Sequence, residues 1–69
     1  MNYKDRLKEM IKRNEEELET IKTRIQETSA EEQDKLRRFF LQATKKEYYI
    51  MGLETSLIYY EQEEKWSEQ

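Results

Sequence analysis

The chain has no cysteine, no histidine, no proline and a single glycine among its 69 residues. Without cysteine there is no disulfide, and without cysteine or histidine there is no conventional zinc site. The same absences remove the commonest general base and the thiol nucleophile, so the sequence predicts no enzyme and no cofactor. A di-iron helical bundle would want Glu-x-x-His, which cannot be written here. No apolar run approaches the ~20 residues of a membrane span. The start, Asn2-Tyr3-Lys4-Asp5-Arg6, runs directly into charge instead of a secretory leader. The expectation is a cytoplasmic protein with no membrane partner. Lys, Glu, Ile and Tyr are plentiful while Pro and Val are missing, a bias that suits an AT-rich bacterial or phage genome.

What is present is charge and a helical period. Charged residues make up 42% of the chain and apolar ones 35%, with 16 acidic residues nearly balanced by 13 basic ones. Near-balance removes the self-repulsion that keeps many charged chains disordered. A single core in so short a chain is marginal, and oligomerisation is the remaining usual remedy.

From Leu7 the seam positions step through Ile11, Asn14, Leu18, Ile21 and Ile25 in alternating intervals of four and three. That is a coiled-coil seam with one polar interruption, at Asn14. The back of this segment, Asp5, Glu9, Lys12, Glu16, Glu19, Thr23 and Gln26, is polar throughout. Between Ile25 and Leu36 no large apolar residue appears, and the gap holds Ser29-Ala30-Glu31-Glu32, an S-x-x-E capping box. The spacing predicts helix one over about 3–27, a turn over about 28–30 with Ser29 as N-cap, and helix two over about 31–65, in one domain. The second seam is Leu36, Phe39, Ala43, Lys46, Ile50, Leu53, Leu57 and Tyr60. No strand period, internal repeat or linker is visible. The fold class is therefore all-α: an antiparallel helical hairpin with unequal arms, dimerising into a four-helix bundle.

Helix two differs from helix one in having a second apolar row. Leu41, Thr44, Tyr48, Met51, Thr55 and Ile58 repeat the same intervals on the side opposite its seam. A helix apolar on two faces is buried on two faces. One face packs on helix one; the other calls for a second molecule. Leu41, Tyr48, Met51, Gly52 and Ile58 are the candidate homodimer interface, with Gly52 read as a point of close helix approach. In an even hairpin, residues beyond Leu57 outrun helix one. That overhang carries Tyr59, Tyr60, Glu63 and Trp66, residue types that anchor and rim interfaces, and these are the candidate contacts to another protein.

Charge is unevenly spread. Residues 36–50 are net basic, through Arg37, Arg38, Lys45 and Lys46, and residues 51–69 are net acidic. Arg37, Arg38 and Lys45 are candidate phosphate contacts should the dimer bind nucleic acid, although a pI of about 5.1 opposes that footprint. The functional expectation is a non-catalytic protein-interaction module: a small regulator, inhibitor or adaptor. A nucleic-acid-binding bundle and a structural or assembly component are the alternatives.

Overall fold

The computed structural model describes residues 2–68. Within them the chain forms two α-helices and no strand: α1 over Tyr3–Glu27 and α2 over Gln33–Glu68, folded back on each other as a hairpin. The Cα envelope measures 58 × 18 × 12 Å, a rod two helices wide.

Both ends of α1 are closed by side chains. Asn2 holds an extended backbone and its Oδ1 accepts from the Asp5 N–H at 2.8 Å, satisfying one of the orphan donors of the first turn. Asp5 and Arg24 sit in the first and last turns, each where its charge complements the helix dipole. At the other end Thr28 leaves the helix in an extended conformation. Its N–H bonds to the Ile25 carbonyl and its hydroxyl donates to the Arg24 carbonyl. No described residue has a positive φ, so this chain reverses direction without the left-handed residue that ends many helices.

The turn corrects the capping expectation. The Ser29 hydroxyl accepts from the Glu31 N–H at 3.3 Å, and the Glu32 N–H is instead taken by the Ser29 main-chain carbonyl. Gln33 adds a bond from Nε2 to the Ala30 carbonyl. The Leu36 N–H bonds to the carbonyl of Glu32, so Glu32, not Ser29, stands at the cap position. Ser29 spends its hydroxyl within the turn, and α2 starts two residues later than its spacing implied.

Packing between the helices is thin. Among the described residues only Leu7, Leu18, Ala43 and Ile50 are buried, with Ile11, Ile21 and Ile25 packed around the cluster of Leu18, Ala43 and Ile50. These are seam positions of both helices, so the two rows face each other as their spacing requires. The exposed area is 5875 Å², about a quarter above the roughly 4,700 Å² of a compact monomer of this mass.

Candidate functional site: the outer face of α2

The two helices present very different outer faces. On α1, Asp5, Glu9, Lys12, Glu16, Glu19, Thr23 and Gln26 are all exposed, as their polarity demands. On α2, Leu41, Tyr48, Met51 and Ile58 are each more than half exposed, and so are Phe40, Tyr59 and Trp66. Tyr48 is 68% exposed and Trp66 72%. Thr44, Gly52 and Thr55 are exposed between them. These residues recur along one side of a single continuous helix, so the surface they form is straight and as rigid as the helix itself. No described residue covers it.

Gly52 belongs to this face. A methyl group placed on it would meet no atom within 4 Å, so packing inside the hairpin does not require a glycine there. A mid-helix glycine nevertheless costs about 1 kcal/mol relative to alanine. No contact inside the hairpin offsets that cost.

The far end of α2 departs from expectation. Helix one does not stop short of it: the rings of Tyr3 and Tyr60 lie 5.4 Å apart at a tilt of 59°, and Lys4 Nζ reaches Glu64 Oε2 at 3.5 Å. An even hairpin brings Tyr3 level with about Leu57, and the reach of the two aromatic side chains spans the remaining turn to Tyr60. Tyr60 is half-buried by this arrangement and belongs to the hairpin's own seam. Tyr59, Glu63 and Trp66 stay exposed, and the Glu63 carbonyl accepts from the Ser67 hydroxyl at 3.0 Å.

The basic cluster lies near the start of the same face. Arg37, Arg38 and Lys45 are exposed, and none of them forms an ion pair among the described residues. Lys46, next in sequence, is turned inward and engaged by Asn14 and Glu17. A shallow groove between the helices, lined in part by Asn14, Glu17, Lys45, Lys46 and Tyr49, is open along its length and encloses no cavity. Among the described residues no three acidic side chains converge as a metal site would require, and no helix is long and apolar enough to cross a membrane.

No family model, no curated protein and no solved structure matches the chain. The functional argument therefore rests on the face itself.

Proposed function

We propose that the chain is a non-catalytic protein-interaction module, a small regulator, inhibitor or adaptor, and that it binds through the outer face of α2 from Leu41 to Trp66. The observation that carries this reading is the contrast between two helices of one hairpin. The back of α1 is polar at every turn, while that of α2 exposes large apolar side chains at regular spacing. Scattered exposed apolar residues are ordinary, but a contiguous row on a rigid element marks an interaction surface. The surplus exposed area of the lone hairpin agrees, since a typical interface buries about 800 Å² on each partner. Two hairpins joined through this face make a bundle of four helices with the two copies of α2 at its centre. The exposed Arg37, Arg38 and Lys45 support a second reading, contact with nucleic-acid phosphates, for which binding that falls steeply with salt is the signature.

Site-specific photo-crosslinking in the producing cell tests the binding surface. A photoreactive residue in place of Met51 should yield a discrete adduct, whether with another protein or with a second copy. The same residue in place of Lys12, on the polar back of α1, should yield none. Equal, diffuse labelling from both positions would sink the proposal.

A further inference from the structure

The outer face of α2 carries a row spaced at intervals of seven: Arg38, Lys45, Gly52, Tyr59 and Trp66. Two cations precede the glycine and two aromatic residues follow it, at matching distances. All five are exposed and lie along one edge of the same face. We infer that this face is self-complementary, and that its occupant is a second copy of the chain, running antiparallel and related by a two-fold axis at Gly52.

The inference rests on reading the face as a binding surface, and charge complementarity carries it further. An isologous pair must bring one patch against itself, so a residue at a given distance before the axis meets the residue at that distance after it. About Gly52, Lys45 then meets the second copy's Tyr59, and Arg38 meets the second copy's Trp66. Both are cation–aromatic pairs, and tryptophan is the most favourable ring for such a contact. Among the described residues neither cation has an ion-pair partner, and both aromatic rings are exposed. In antiparallel helix pairs the edge rows of the two helices lie side by side, which is the arrangement this row needs. The inner rows come close: Tyr48 falls level with the second copy's Ser56, two residues from its Ile58, and Met51 level with its Leu53, two residues from its Thr55. At the axis Gly52 meets itself, and with no Cβ the two backbones can close together. A glycine that nothing in its own hairpin explains thereby gains a packing role.

A parallel pair fails on the same residues. It would set Arg38 against Arg38 and Lys45 against Lys45, stack the acidic ends, and leave the cation–aromatic pairs unmade. Antiparallel pairing lays the basic stretch over 36–50 along the acidic stretch over 51–69 of the other copy.

The test combines orientation with register. A nitroxide label at Gln42→Cys lies on the side of α2, clear of the proposed contact. Across the dimer the two labels should stand about 30 Å apart, because the twenty residues between Gln42 and its mirror position rise 1.5 Å each. A parallel dimer would hold them within about 20 Å. For register, Lys45→Tyr and Tyr59→Lys should each weaken the dimer about tenfold by sedimentation equilibrium, while the exchanged double variant regains most of the loss. A label distance near 30 Å with rescue by the exchange supports the proposal. A short distance overturns the orientation, and a long distance without rescue overturns the register about Gly52. A monomer at all accessible concentrations overturns self-pairing. If a photoreactive residue at Met51 still captures a discrete partner in that case, the binding-surface reading stands without it.

Discussion

Lys46 Nζ lies 3.0 Å from Asn14 Oδ1, joining the one polar residue in each of the two facing seams. Asn14 also donates through Nδ2 to the Met10 carbonyl at 2.7 Å, and Lys46 reaches Glu17 Oε2 as well. Two interruptions that look like flaws in separate apolar rows are one cross-helix contact. Polar groups in a seam hold register at some cost in stability, because any slip leaves them facing apolar neighbours. The Lys46 side chain keeps 24% of its exposure, so the ion pair with Glu17 is screened and the geometric constraint matters more than its energy.

Replacing Asn14 and Lys46 together by leucine should raise the melting temperature and loosen the pairing. Amide spectra would then show more than one set of signals, from hairpins in alternative register. A double variant that melts lower and keeps a single set would show that the polar pair is a net source of stability instead.

Capping gives a second test, and it separates two residues that look alike in the sequence. Asn2→Ala should cost about 1 kcal/mol and speed hydrogen exchange at the Asp5 amide. Ser29→Ala should change stability by less than about 0.5 kcal/mol, because its hydroxyl makes one 3.3 Å bond inside an exposed turn. A loss of 1 kcal/mol or more at Ser29 would restore it as the cap of α2.

Gly52→Ala should act in opposite directions on the hairpin and on its association. Within one chain the added methyl meets nothing within 4 Å, so helix propensity alone decides, and the hairpin gains about 1 kcal/mol. In the dimer the same methyl separates two close backbones, and the dissociation constant should rise. Measured by melting at low concentration and by sedimentation at high concentration, a variant that gains in both would show that no helix approaches there.

Trp66 is the sole tryptophan, and at 72% exposure its emission should be red and easily quenched in dilute protein. Raising the concentration should shift it to the blue as α2 is covered. Emission that stays red through the concentration at which the dimer forms would remove Trp66 from the contact.

Much of this architecture is legible in the residues. The alternating spacing of Leu7 to Ile25 and of Leu36 to Tyr60 gives two amphipathic helices, and the polar stretch between them gives the reversal. The outer row from Leu41 to Ile58 is legible for the same reason, since its side chains repeat with the helix. The turn is less so. Ser29 fits a capping box by spacing, but spacing cannot distinguish a hydroxyl that caps a helix from one that bends a turn. Counting helix positions alone leaves Tyr60 as overhang, but the length of two tyrosine side chains brings it against Tyr3. The cap at Asn2 is written as an Asn three residues before an Asp, the same spacing as Ser29 and Glu32, so spacing alone does not rank the two. Asn14 and Lys46 each interrupt an apolar row, and an even hairpin with Tyr3 near Leu57 already sets them opposite each other, as the structure has them.

The thinness of the core has a kinetic consequence. Every contact between the helices follows from one reversal at residues 28–32, and the rest of the structure is local helix. Such a chain should close in microseconds to milliseconds, its rate set by how soon the reversal forms. Doubling the length of that loop with flexible residues should cost only about 0.6 kcal/mol, since closure entropy grows with the logarithm of length. Opening should begin at the other end, where Tyr3 and Lys4 hold Tyr60 and Glu64, and run inward until it meets the buried cluster of Leu18, Ala43 and Ile50. That cluster thus acts as a latch, and the half of the molecule nearer the turn, where Ile21 and Ile25 pack on it, should exchange its amide hydrogens last.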